Sequence, residues 1–184
     1  MIYQGKTIEL KDGRRAEFRA PRPEEDAPAA LEVFRRMAGE TEFVSNYPEE
    51  IRFTAEGEAA YLKNTVDSPD NMLIVCSVEG VMAGNCQIIF LNTRKTRHRA
   101  VVMIGLQKEF WGLGIGTALF EELIAAARDR GGVTQLELEV VEGNERAIAL
   151  YEKMGFTVMA EHPDAFRLKD GSSRKAIYVR RPLE

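Results

Sequence analysis

The sequence predicts an α/β (α+β) protein, built on a mixed, mostly antiparallel central sheet of about six or seven strands with helices on both faces. Three observations predict it. Apolar stretches separated by short turns fill the middle of the chain, as in a strand meander. The pattern then becomes strand, helix, strand, helix, which adds parallel pairing to the sheet. Finally, 184 residues with 45% hydrophobic and 29% charged side chains suit one globular domain. A chain this long buries roughly 70% of the surface its unfolded form exposes, so it needs no metal or disulfide to hold it. One domain over 1–184 is expected, with its core at about 72–158.

The elements follow in order. Residues 6–19 alternate around Lys11-Asp12-Gly13, and Asp-Gly between β-like runs predicts a hairpin or tight turn. Pro21 and Pro23 break the chain. Glu24-Glu25-Asp26 suit the positive end of a helix dipole. Ala30, Leu31, Phe34, Met37 and Ala38 then recur at helical spacing, with Gly39 as a stop. Residues 40–53 are irregular. Thr54 caps a second helix with Ala59, Ala60, Leu62 and Val66 on its apolar side, closed by Ser68-Pro69-Asp70. Met72–Val78 and Val81–Leu91 read as strands joined at Glu79-Gly80. Ala100–Leu106 is apolar throughout and predicts a central strand covered on both faces. A strong helix follows Gly112–Gly116, with Leu119, Phe120, Leu123, Ile124 and Ala127 on one face and Gly131-Gly132 at its end. Gln135–Val140 alternates as a strand. Asn144 opens a helix carried by Ala147, Ile148, Leu150 and Tyr151 and stopped at Gly155. Phe156–Met159 and Ala176–Val179 are the last strands, with a turn at Lys169-Asp170-Gly171.

Several functions are excluded early. The 25 Lys+Arg against 29 Asp+Glu leave a net charge of −4, without the basic excess of a nucleic-acid binder. No apolar run approaches the ~20 residues of a membrane span, and Met1 to Lys6 lack the regions of a signal peptide. A cytoplasmic protein with no membrane partner is expected. Cys76 and Cys86 fall in strand-like stretches and read as buried thiols, not a disulfide framework or zinc site. His98 and His162 have no partners at ligand spacing, so no metal is expected.

The chemistry starts at Gly112-Leu113-Gly114-Ile115-Gly116-Thr117, between an apolar strand and an amphipathic helix. Glycines let backbone N–H groups approach a ligand closely, and a helix N-terminus adds unpaired donors and a positive dipole end. The turn therefore suits a phosphate or diphosphate; the plainer alternative is a tight turn without a ligand. The dinucleotide fingerprint is incomplete, because its third glycine would stand at Thr117 or Leu119. Glu137 and Glu139 do lie near where a ribose-binding acid would sit, so a dinucleotide-binding oxidoreductase stays as a less favoured alternative. The Walker pattern fails, since no Gly-Lys-Ser/Thr follows.

A second motif, Asn144-Glu145-Arg146-Ala147-Ile148-Ala149-Leu150-Tyr151-Glu152-Lys153-Met154-Gly155-Phe156, comes one helix and one strand later. Together the two resemble the GNAT superfamily of acyl-CoA-dependent N-acetyltransferases. That family's pattern is Gln/Arg-x-x-Gly-x-Gly/Ala at the turn, then Asn-x-x-Ala-x-x-x-Tyr-x-x-x-Gly-Phe. The resemblance is close over roughly 72–158. It implies the GNAT fold with a splayed strand pair, acetyl-CoA as cosubstrate, and a homodimer. The implied reaction is direct attack of a primary amine, on a small molecule or peptide, within a ternary complex. It places pantetheine on backbone groups of Ile104, Gly105 and Leu106, one of which also holds the thioester carbonyl. It places the pyrophosphate on N–H groups of Gly112, Leu113, Gly114, Ile115, Gly116 and Thr117. Asn144 would contact the cofactor or hold the gap open, beside an ordinary helix-capping role. Tyr151, seven residues further along the same helix face, would be the general acid to the leaving thiolate; the alternative is an aromatic core residue. One position departs from the pattern. The Gln/Arg falls on Trp111, which reads as a packed aromatic or as a lid over pantetheine. A non-catalytic acyl-CoA sensor on the same fold is a further alternative.

The base and the acceptor are less determined. Val101 to Leu106 offers no carboxylate. The candidates are Glu137 and Glu139 acting through water, Glu42 and Tyr47 in the irregular loop, or no residue for an amine that arrives neutral; the plainer alternative for each residue is a solvated or salt-bridged surface group. Segments at about 20–70 and 159–184 are expected to shape the acceptor pocket. Phe43, Tyr47 and Phe166 would supply aromatic walls, and Glu40, Glu42, Glu49 and Glu50 negative charge, suiting a cationic amine. Arg94, Lys95, Arg97, His98 and Arg99 form a basic cluster that reads as a solvated turn, or as an attractor for CoA phosphates or an acidic partner.

Overall fold

Capping residues, glycine turns and strand pairing set the elements of the computed structural model, which describes residues 1–183. In chain order these are β1 (Lys6–Glu9), β2 (Arg15–Arg19), α1 (Pro23–Glu40), α2 (Ala55–Asp67), β3 (Asn71–Val78) and β4 (Val81–Phe90). They continue with β5 (Arg99–Leu106), α3 (Ile115–Arg130), β6 (Gln135–Val141), α4 (Glu145–Lys153), β7 (Thr157–Arg167) and β8 (Ser173–Pro182). The strands are ordered β1-β2-β3-β4-β5-β6-β8-β7. β5 and β6 run parallel; β1–β2, β2–β3, β3–β4, β6–β8 and β7–β8 are antiparallel. The sheet is mixed, as expected, but has eight strands. Residues 6–19 supply both arms of a hairpin, paired from Lys6↔Phe18 to Glu9↔Arg15.

Chain contacts gather into two compact units: Met1–Ile89 with Met103–Leu119, and Phe90–Val102 with the segment from Phe120 onward. In the first unit α1 and α2 meet β3 and β4 through Ala27, Ala30, Val33, Ala59, Leu62, Leu73, Val75 and Met82, with Met37 alongside. Thr54 caps α2 as expected, its Oγ1 accepting the Gly57 N–H at 3.1 Å. The start of α1 is tied to β2 by buried Asp26, which accepts from both terminal nitrogens of Arg19 at 2.6 and 2.7 Å and from the Arg22 N–H at 2.6 Å. β4 carries a bulge. Cys76 faces Gly84 while Ser77 faces Met82, so Ala83 is an extra residue.

In the second unit, β8 lies between β6 and β7. Its buried side chains include Phe120, Leu123, Leu136, Leu138, Val140, Phe156 and Val179. β7 runs to Arg167, well past the Phe156–Met159 stretch visible in the sequence. It is an outer strand whose side chains from Thr157 to Asp164 are exposed, so no apolar alternation marks it. Cys76 and Cys86 are buried thiols, and they occupy different rungs, Cys76↔Gly84 and Ile74↔Cys86. Burial pushes the Cys76 thiol up to about 12. Among the described residues, no helix is long and apolar enough to cross a membrane.

Candidate active site

β5 is not covered along its whole length. Ala100 and Val102 are buried, but Met103 is 44% exposed and Ile104, Gly105 and Leu106 are half-buried. The reason lies in the pairing. The register with β6 runs only from Arg99↔Gln135 to Val101↔Glu137, although β5 continues to Leu106. An apolar run thus signals a strand without signalling that protein covers it.

The far half of β5 is fixed instead by the β4 bulge, within the first unit. Gly84 has φ +155°, and a Cβ there would lie 2.0 Å from the Gly105 carbonyl oxygen and 2.9 Å from the Leu106 Cα. Only glycine allows that approach. The bulge carbonyls hold the next residue: the Gln107 N–H donates to Ala83 O at 2.9 Å, and its Nε2 donates to Met82 O at 2.6 Å. Gln107 is 2% exposed, and its Oε1 has no partner among the described residues. Neither Gly84 nor Gln107 stood out as a site residue. The available signal was a lone glycine inside a strand pattern, which marks a bulge or a close backbone approach.

The chain leaves β5 through a single 3-10 turn, Lys108–Phe110. Glu40, at the end of α1, accepts the Lys108 N–H at 2.8 Å. Trp111 turns inward, its Nε1–H donating to Leu106 O at 2.8 Å. That hydrogen bond gives Trp111 the packed-aromatic role. Gly112 and Gly114 have φ +80° and +94°. A Cβ on Gly112 would meet nothing within 4 Å, so this side of the turn is open. α3 starts at Ile115, and the Ala118 N–H donates to Gly114 O at 3.2 Å. The N–H groups ahead of it have no carbonyl within the helix to bond. Gly112, Leu113, Gly114, Ile115, Gly116 and Thr117 thus form a glycine turn running into a helix N-terminus, which fits an anionic diphosphate.

Asn144 and Tyr151 lie in the second unit. Asn144 caps α4, its Oδ1 accepting the Ala147 N–H at 3.2 Å. Tyr151 is 8% exposed. Its ring meets Phe120 edge-on at 5.5 Å and lies 6.1 Å from Phe156. Burial pushes its phenol up to about 12. The packing role is therefore present, and it holds the ring in one place.

Several charged candidates have structural partners. Glu137 accepts from Arg99 Nε and Nη2 and from Gln135 Nε2, each at 2.5 Å. A carboxylate so bonded is a poor base, and the salt-bridged alternative describes Glu137. The Arg99 bonds hold its carboxyl below the ordinary value of 4.5, against the cost of burial. Since the folded value is lowered, this contribution is present above about 4.5 and is lost as pH falls through the folded value. Glu137→Gln should cost about 1–3 kcal/mol at neutral pH and flatten the loss of stability on the acid side. Denaturant titrations across pH would measure both. Glu139 hydrogen-bonds Tyr178 and raises that phenol. Glu40 and Glu50 accept backbone N–H groups from Lys108 and Tyr47, so two of the four acids expected to draw a cation have structural tasks. Arg99 is drawn away from the basic cluster by Glu137, while Arg94, Lys95, Arg97 and His98 are exposed. Among the described residues, no group of three or more His, Cys, Asp or Glu could hold a metal ion.

A mixed sheet, a glycine turn opening α3 and the Asn144-to-Tyr151 interval on α4 together match the GNAT type of acetyltransferase. The chain belongs to the acetyltransferase (GNAT) family, whose sequence model matches residues 18–156. It is 30% identical over 128 residues to 5-NmdU N-acetyltransferase of Pseudomonas phage PaMx11, covering 68% of this chain and 79% of that protein. It is 27% identical over 115 residues to mycothiol acetyltransferase of Propionibacterium freudenreichii, covering 62% of this chain. The match spans only 36% of that relative's length. Among solved structures, a GNAT-family acetyltransferase from Streptococcus pneumoniae superposes with TM-score 0.84 at 25% identity, over 91% of this chain and 99% of that one. The structure of yncA from Salmonella typhimurium with its cofactor acetyl-CoA superposes with TM-score 0.77 at 20% identity, over 92% and 94%. This last likeness concerns the fold.

Proposed function

We propose that the protein is one N-acetyltransferase domain, acting in the cytoplasm, that transfers an acetyl group from acetyl-CoA to a primary amine. The observation that carries this reading is the glycine turn. Gly112 and Gly114 hold left-handed backbone there, and the Gly112 side is open to a ligand. Residues 112–117 would bind the diphosphate by backbone N–H groups. Ile104, Gly105 and Leu106 would pair with pantetheine amides, in the stretch of β5 beyond its register with β6. Asn144 would contact the cofactor or hold the gap open, while its side chain caps α4. When bound, acetyl-CoA supplies an activated thioester. Tyr151 would hold its proton and give it to the departing sulfur. The acceptor is proposed to be a primary amine on a small molecule or peptide, cationic in solution. It gives up one proton to water and then attacks the thioester carbon directly while both substrates are bound. As the carbon–sulfur bond breaks the sulfur takes the Tyr151 proton, and the second proton lost by the amine nitrogen restores the phenol through solvent. A homodimer is proposed, for which the exposed edge strand β7, with Val158 60% and Met159 43% exposed, offers an unpaired flank. Thiol release from acetyl-CoA, followed across a panel of amines, tests the reading. Turnover is expected with cationic primary amines. Acetyl-CoA binding without thiol release for any amine would favour a non-catalytic sensor instead.

A further inference from the structure

We propose that the β1–β2 hairpin belongs to the cofactor site, with the Lys11 ammonium paired to the diphosphate of CoA. This rests on the reading above, in which residues 112–117 receive that diphosphate. Lys11 precedes the family match, which begins at residue 18, so the family pattern does not supply it. The hairpin tip is well fixed. The Leu10 N–H donates to Arg14 O at 2.8 Å, and the Gly13 N–H donates to Leu10 O at 2.9 Å. Leu10 is 4% exposed. Arg14 pairs with Asp12 at 2.8 Å and lies 5.6 Å over the ring of Phe110, the last residue of the 3-10 turn after β5. The tip is thereby tied to the chain entering the glycine turn.

Lys11 extends over that turn. Its Cε would lie 3.9 Å from a Cβ built on Gly114. The other cation at the hairpin tip, Arg14, is neutralised by Asp12. Lys11 has no acidic partner among the described residues. It is an exposed, unneutralised cation beside backbone donors that expect an anion. Trp111 supplies the complementary observation. Where the family pattern has Gln or Arg, this chain has an indole whose N–H is committed to Leu106 O. The side-chain contact absent at 111 is thus available from another element. A lysine suits this task, because phosphate accepts a point charge without demanding a planar fork.

Calorimetric titration of the full chain with CoA and with 3′-dephospho-CoA tests this. Lys11→Gln is expected to raise Kd about 3–10-fold for both ligands, as loss of one partly exposed charge contact should. The difference should shrink as salt is raised, and Lys11→Arg should restore most of the affinity. An equal unfolding midpoint for Lys11→Gln and wild type confirms that folding is intact. Unchanged affinity for CoA would overturn the proposal and leave the cofactor reading standing. An effect that vanishes with 3′-dephospho-CoA would also overturn it, by assigning Lys11 to the 3′-phosphate. Failure of the wild-type chain to bind CoA at all would overturn the cofactor reading itself, and Lys11 with it.

Discussion

Tyr151→Phe is expected to lower turnover by about 10²–10⁴, the usual worth of a general acid, with acetyl-CoA binding close to wild type. The substitution removes one oxygen and keeps the ring among Phe120 and Phe156. The fold should therefore survive, and a loss of rate would belong to the phenol. The environment constrains how that phenol works. Burial pushes it up to about 12, whereas a free thiol titrates near about 8.5. Full proton transfer to a thiolate is uphill, so the proton must move as the carbon–sulfur bond breaks, or help by hydrogen bonding. The same burial keeps Tyr151 protonated through the working range. The pH–rate profile should carry no alkaline descent from this group below about 12. Steady-state rates with calorimetric Kd values for wild type and Tyr151→Phe decide the matter. Unchanged turnover would leave Tyr151 with its packing role alone.

Gly84→Ala is expected to destabilise the fold by about 2–4 kcal/mol. Two costs combine. The backbone at Gly84 has φ +155°, and the new Cβ would sit 2.0 Å from the Gly105 carbonyl oxygen. Nothing at the far end of a flexible side chain can move aside there; one strand must shift from the other. The displaced residues would be Gly105 and Leu106, proposed to pair with pantetheine. A rise in KM for acetyl-CoA should accompany the loss of stability in the fraction that folds. Denaturant unfolding and initial rates would separate the two effects. A wild-type midpoint would mean that the bulge relaxes without strain.

Legibility from the sequence differed with the kind of signal. Thr54, Gly131-Gly132 and Asn144 are local punctuation, and the helix ends fall on or next to them. The motifs carrying the family pattern were equally plain, because glycine spacing and an Asn-to-Tyr interval depend on one stretch of chain. β7 was largely hidden, since an exposed edge strand needs no apolar alternation. The cover on β5 was overestimated because Val101 to Leu106 reads the same whether protein or a ligand lies beside it. Glu137 looked like a candidate base because its partner, Arg99, is 38 residues away in the chain. Pairings of that range, like that of Gln107 with Met82, arise only when the sheet assembles.

Trp111 is the chain's one tryptophan. Its indole N–H is given to the carbonyl of Leu106, the last residue of β5. Excited at wavelengths that indole absorbs and tyrosine does not, the molecule emits from a single fluorophore set between the end of β5 and the glycine turn. The wild-type chain carries its own optical gauge of that junction, readable without a label and without altering a side chain.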